Sequence, residues 1–219
     1  NQLIRKYTVS TGLVTTLAGG GSSGYVDGVG TNSLFSGSYG LSISPDGSYA
    51  LIADSNNHRI RKIILSTSSV TTIAGGSGYG SSNGVGSNAL FKSPYDVSIS
   101  SDGSYALIVD TNNHQIRKMI ISTLSVTLFA GGSASGYGST NGVGSNALFN
   151  NPRGIVITPN GTALVADTYN NQIRLITLST ASVTLLAGST SGNANGVGSN
   201  AKFYNPSGID ISSNGNYAL

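Results

Sequence analysis

The stretch GLSISPDGSYALIADSNNHRIRKIILSTSSVTTIAG, residues 40–75, decides the fold. Leu41-Ser-Ile43-Ser alternates apolar and polar residues, the period of a strand with one covered face, and Pro45-Asp46-Gly47 then turns the chain back. Tyr49 to Ala53 reads as a second strand, ending at Asp54-Ser-Asn-Asn57. Ile60 to Leu65 is a third, Thr67-Ser-Ser69 its turn, and Val70 to Ala74 a fourth, closed by Gly75-Gly76. Short antiparallel strands joined by tight turns lie side by side in one sheet.

The unit recurs along the chain. Ile-Arg stands at Ile4-Arg5, Ile60-Arg61, Ile116-Arg117 and Ile173-Arg174, and Ala-Gly begins at Ala18, Ala74, Ala130 and Ala187. Gly-Val-Gly begins at Gly28, Gly84, Gly142 and Gly196, each followed by a Phe, at Phe35, Phe91, Phe149 and Phe203. The period is about 56 residues, and self-similarity on this scale marks a repeat architecture. Between copies runs a Gly/Ser-rich connection of about 20 residues, too long for a hairpin and suited to carrying the chain to the next sheet. Within it Ser87 to Phe91 reads as one helical turn that drops Phe91 into the core.

The expectation is an all-β β-propeller of four such repeats, with four antiparallel strands per blade. Residues 1–20 would supply the third and fourth strands of a partial blade. Residues 40–75, 96–131 and 154–188 would be whole blades, and 208–219 the first strand and start of the second of another. Every residue falls in one of these copies, so 1–219 is a single repeat domain without a linker.

Composition agrees. The 219 residues include 31 Gly, 5 Pro, no Cys, no Trp and no Glu, and only 9% are charged, against a usual share of about 25%. The absence of Cys removes disulfides, thiol chemistry and zinc ribbons. No apolar run approaches the ~18 residues of a membrane helix, so no membrane insertion is expected. A formal charge of +3 is thin for this length, and no nucleic-acid partner is read from it.

Asp54-Ser-Asn-Asn-His-Arg-Ile-Arg-Lys62 resembles the signature of NHL-repeat propellers, and Pro45-Asp-Gly47 and Val70 to Gly75 fit the same repeat. The resemblance covers nearly the whole chain. It implies a ring of blades, usually about six, with the first strand of each lining a central channel. It also implies protein- or RNA-binding display surfaces and, in some relatives, lyases or hydrolases that use metal-bound His and carboxylates at the channel mouth. This chain departs in the number of units. Asn1 aligns with Asn57 and Leu219 with Leu51, so its ends cut a blade open. That pattern fits an excerpt of a longer array, or a unit completed by a neighbour's strands, closing into a ring or running on as a filament.

Candidate residues divide by whether the copies share them. Asp54, Asp110 and Asp167 each lie seven residues before Arg61, Arg117 and Arg174. One carboxylate per blade is no acid–base pair, and the simple account is a turn Asp accepting main-chain N–H groups and pairing with the Arg. His58 and His114 share one repeat position with Gln2 and Asn171, so they sit on different blades and cannot converge on a metal. Gly84-Val-Gly86-Ser-Asn-Ala89 has the letters of a dinucleotide fingerprint but neither the strand nor the long helix it needs, and no cofactor is expected. Tyr25, Tyr79 and Tyr137, each after a Gly in the connections, are candidate ligand or partner contacts, or else pins for their own loops. Asn160-Gly-Thr162 is a glycosylation sequon at a turn. A site belongs where copies differ, as at Lys92, Arg153 and Lys202 near the strand entrances and at Asp96 and Asp210.

With no Glu and two separated His, the chain reads as no enzyme. The expected role is a non-catalytic extracellular or cell-surface propeller, structural or binding, able to act as an assembly or filament unit through self-association. The alternative is a protein- or glycan-binding module within a larger closed ring. A metal-dependent lyase or hydrolase is the third reading.

Overall fold

The computed structural model describes residues 1–132 and 136–219. It is all-β. β1 (Ile4–Thr8) and β2 (Leu13–Ala18) form a two-stranded antiparallel sheet. Three five-stranded sheets follow. The first holds β3 (Gly28–Val29), β4 (Ser38–Ile43), β5 (Tyr49–Asp54), β6 (Arg59–Ile64) and β7 (Ser69–Ala74). The second holds β8 (Gly84–Val85), β9 (Pro94–Ile99), β10 (Tyr105–Asp110), β11 (Gln115–Ile120) and β12 (Ser125–Ala130). The third holds β13 (Gly142–Val143), β14 (Ile155–Ile157), β15 (Thr162–Asp167), β16 (Gln172–Thr177) and β17 (Ser182–Gly188). Residues 208–219 make one antiparallel bridge, Ile211 to Ala218.

In each five-stranded sheet the spatial order is β3-β7-β6-β5-β4 or its equivalent. The fifth strand departs from the four expected per blade. It is the Gly-Val of the connection, which pairs Gly84 with Val126 and Val85 with Ser125 and so covers the edge that β12 would otherwise leave open. The turn behind it is a 3-10 helix at Gly86–Asn88, one residue earlier than the expected start, and Phe91 is fully buried. Gly86 has φ +56°, and a Cβ on Gly84 would lie 2.7 Å from the Asn88 carbonyl carbon. The glycines of this motif thus serve a tight turn.

The sheets stack face to face, as blades do. Leu51 and Ala53 of β5 pack with Ala106 and Ile108 of β10, while Leu107 and Val109 pack with Ala163 and Val165 of β15. Ala50 and Ile52 face the two-stranded sheet. Alternate residues of each second strand therefore enter different cores, which is why the strands read as continuous apolar runs rather than alternating ones.

One side-chain network recurs in each five-stranded sheet. Arg117 lies 3.0 Å from Asp110, both side chains fully buried, and donates to the Leu90 and Ser82 carbonyls and to Asn83 Oδ1. Asp110 also accepts the Lys92 N–H at 2.7 Å and the Asn113 amide at 2.8 Å. Phe91 lies 5.6 Å from the guanidinium. Arg61 with Asp54 and Arg174 with Asp167 repeat this, at 2.8 and 3.0 Å. The pair ties the irregular connection to the sheet through main-chain groups that have no ladder partner.

Asp110→Asn, which leaves the Arg117 charge buried without its counter-ion, is expected to cost about 3–5 kcal/mol in urea unfolding. Arg117→Met should cost a similar amount, and the double variant less than the sum of the two. A cost below about 1 kcal/mol for either single variant would show the pair to be incidental.

Candidate functional site

Antiparallel alternation puts three features at one end of every sheet: the turn between second and third strands, the start of the connection, and the entry to the next first strand. The hairpins carrying Asp46 and Asp102 lie at the other end. Contacts between neighbouring sheets converge on the first end. His58, in the turn after β5, accepts the Ser93 N–H through Nδ1 at 3.0 Å, and His114 accepts the Asn151 N–H in the same way at 3.0 Å. Gln2 Oε1 and Asn171 Oδ1 do the same for Gly37 at 2.8 Å and Asn205 at 3.0 Å. The repeat position of the two histidines is thus a clamp on the next blade. Alongside it Thr111 Oγ1 donates to the Pro152 carbonyl and Thr168 Oγ1 to that of Pro206, both at 2.8 Å, and Ser55 to that of Pro94. His58, His114 and Asn171 adopt left-handed backbone, φ +54° to +58°. Each turn is closely approached by the Gly of the Ala-Gly repeat: a Cβ on Gly75 would lie 2.6 Å from the His58 carbonyl oxygen.

Because a main-chain N–H can only donate, Nδ1 of each imidazole must be unprotonated. Burial holds both imidazoles below their ordinary value, and the charge of Lys92 pushes the same way. On the inner wall, Ser42 and Ser98 hydroxyls accept the Ile99 and Ile157 N–H groups at 3.1 and 3.0 Å. Asp96 accepts the N–H groups of Val97 and Ile155, at 2.8 and 3.0 Å, and burial pushes its carboxyl up to about 6.

The candidate tyrosines crown this end and remain open to solvent, with Tyr25, Tyr79 and Tyr137 at 58, 66 and 65% exposure. Each touches a neighbour. Tyr79 meets His58 edge-on at 5.5 Å and Lys92 at 5.8 Å, Tyr137 meets His114 at 5.5 Å, and Arg59 lies 4.4 Å from the Tyr25 ring. They are therefore both braced and presented. Asn160 is exposed at the opposite end, in the β14–β15 hairpin. Among the described residues no three His, Cys, Asp or Glu gather as metal ligands, and no helix is long and apolar enough to cross a membrane.

The NHL repeat model matches residues 149–174, the span from Phe149 to Arg174 that holds one complete Phe–Asp–Arg network. The chain is 34% identical over 184 residues to the Arabidopsis thaliana protein SUPPRESSOR OF QUENCHING 1, chloroplastic, covering 80% of this chain and 17% of that one. It is 32% identical over 161 residues to NHL repeat-containing protein 2 of Homo sapiens, covering 67% and 22%. The chain belongs to the NHL-repeat family. An auxiliary nutrient binding protein from Bacteroides thetaiotaomicron shares the fold, with a TM-score of 0.65, 19% identity, and coverage of 93% of this chain and 46% of that one. The chain thus spans under a quarter of these relatives and about half of that solved structure.

In this NHL-repeat protein the end face carries the features that differ between copies. Lys92 stands where the other copies have Ser36, Asn150 and Tyr204, and Arg153 where they have Tyr39, Tyr95 and Ser207. Sequence spacing did not reveal the clamp, because Gln, His and Asn share only an acceptor atom. The fact that all four residues at that repeat position carry one is the signal that was there to be used.

The histidine clamp sets a pH dependence. A folded-state value below the ordinary ~6.5 means the neutral form is favoured by folding. That contribution is full above ~6.5 and is lost as pH falls through the lowered values. Asp96 and Asp110, both pushed by burial up to about 6, titrate with the opposite sign: their contribution is present below the ordinary carboxylate value and lost as pH rises through 6. The readout is therefore a difference between proteins. His58→Asn with His114→Asn, the residue used at Asn171, should match wild type in melting temperature at pH 7.5 and exceed it at pH 5. Parallel curves across that range would exclude the clamp.

Proposed function

We propose that the chain is a non-catalytic binding module, part of a larger closed propeller, whose tyrosine-bearing end face takes a protein or glycan partner outside the cell. The observation that carries this reading is the pairing of braced, exposed phenol rings with cations on one rigid end: Tyr79 with Lys92 and Tyr25 with Arg59. Tyrosine offers a flat apolar ring and a polar tip at little entropic cost, the property of a contact surface. The turns below are locked by the buried ion pairs and the inter-blade clamps, so little ordering is needed on binding. The auxiliary nutrient binding protein that shares the fold is consistent with a binding role. The four repeats and the blades they form in this chain would then be one arc of the ring.

Testing requires an array of neutral oligosaccharides, acidic oligosaccharides and peptides, probed with the protein. Wild type should bind one class. Tyr79→Ser with Lys92→Gln should lower that signal several-fold while stability stays within about 0.5 kcal/mol, as for exposed positions. Asp46→Ser at the opposite end should leave binding unchanged. A blank array, or loss of signal from both ends alike, would refute the reading. So would turnover of any array sugar in the presence of a divalent metal.

A further inference from the structure

We propose that the end face where the second and third five-stranded sheets meet binds an acidic oligosaccharide, with a sugar carboxylate taken by Arg153 and a sugar face by Tyr169. The inference rests on the reading of this end as the binding face and names its ligand class.

Two departures from the repeat carry it. Arg153 replaces the tyrosine of the two earlier copies, Tyr39 and Tyr95, and Tyr169 replaces the asparagine of Asn56 and Asn112. Both occur in the same copy, on different turns, and they meet. The Arg153 guanidinium lies 5.9 Å from the Tyr169 ring and 5.3 Å from the Tyr95 ring. Tyr95 is backed in turn by Tyr39, the rings 4.5 Å apart and 6° from parallel. The main chain of both residues is pinned, by Arg153 N–H to the Ala166 carbonyl at 3.0 Å and Tyr169 N–H to that of Asn150 at 3.1 Å.

Held in this way, the Arg153 guanidinium nevertheless enters no ion pair among the described residues, unlike Arg61, Arg117 and Arg174. Asp96, which reaches the chain two residues beyond Arg153, spends its carboxyl on the Val97 and Ile155 N–H groups instead. A planar cation with its fork of donors unspent, set within 6 Å of two phenol rings, is a receptor for a carboxylate. Lys92 and Lys202, exposed at the neighbouring strand entrances, extend the positive charge, opposed on this side by the exposed Asp210 of the next first strand, while the exposed Asp46 and Asp102 lie at the opposite end. Cations outnumber exposed carboxylates around Arg153, which favours an anionic ligand.

The surrounding surface favours a sugar. The large exposed apolar groups on the turns, connections and strand entrances of this end include the phenols Tyr79, Tyr137, Tyr169 and Tyr204, set among Ser, Gly and Asn. Among the described residues the exposed aliphatic groups of the connections at this end are the small Val26 and Val197, and no exposed Leu, Ile, Phe or Met accompanies the phenols there. A peptide partner would ask for such aliphatic anchors. Flat phenols alternating with cations instead fit the apolar faces and carboxylates of uronate sugars.

Titration calorimetry at low salt would compare four probes: an oligogalacturonate, its methyl ester, poly-glutamate and a single-stranded oligoribonucleotide. The oligogalacturonate should bind, with the methyl ester at least about tenfold weaker, and added salt should weaken it further. Arg153→Tyr, which restores the residue of the earlier copies and so keeps the stack, should also lose about tenfold or more. Lys118→Gln, away from this end, should change nothing. Equal affinity for acid and ester, or undiminished binding by Arg153→Tyr, overturns the proposal. Preference for poly-glutamate or RNA that depends on Arg153 also overturns it, yet leaves the binding face standing. Silence of all four probes here and of the array sinks both.

Discussion

Three arginine–aspartate pairs, buried to the last atom of their side chains, are the constraint on which the architecture turns. A blade of this kind must bring a long Gly/Ser-rich connection back across its own edge, and such a segment has many main-chain carbonyls and no ladder to satisfy them. A guanidinium with several donors can reach two strands of loop at once, as Arg117 does with Leu90, Ser82 and Asn83. The Asp below it neutralises the charge and takes the first N–H of the returning chain. An apolar substitute of the same volume would remove the donors to the Leu90 and Ser82 carbonyls and to Asn83, so the ion pair here secures a loop conformation more than it adds net stability.

The same devices join blade to blade. A hydroxyl at the turn after each second strand and an acceptor at the end of that turn both reach the next first strand, so the locked turn of one sheet positions the entrance of the next. The inner strands add hydroxyl-to-main-chain bonds of their own. Rigidity thus passes along the array through polar contacts at the ends and inner wall, while the apolar residues between the sheets supply most of the driving force.

Much of this was legible in the sequence, and the division is instructive. The four long strands, the hairpin turns, the buried Phe and the seven-residue spacing of Asp and Arg all depend on contacts within one repeat, where local pattern and period speak directly. The fifth strand was not legible, because a two-residue Gly-Val is too short to show a strand pattern and pairs only where an edge awaits it. Nor was the clamp: its partners lie 34 to 37 residues apart, and its side chains share function without sharing chemistry. The meeting of Arg153 with Tyr169 also needed coordinates, since the two residues lie on separate turns whose approach is set by the third sheet's own folding.

Repetition sharpens the argument about where function resides. A residue that every copy keeps performs a task that every copy needs, and the Asp, Arg, Phe and Gly positions all have such a task in the turns and connections. A departure confined to one copy has no such obligation. When two departures in one copy are brought together, with a cation that enters no ion pair among the described residues, the repeat's own structural needs do not account for the pairing. The first three repeats in this chain supply an internal control for one another: the blade folds with Tyr or Arg at this entrance and with Asn or Tyr at this turn, so what the third copy has changed is its surface chemistry rather than its fold.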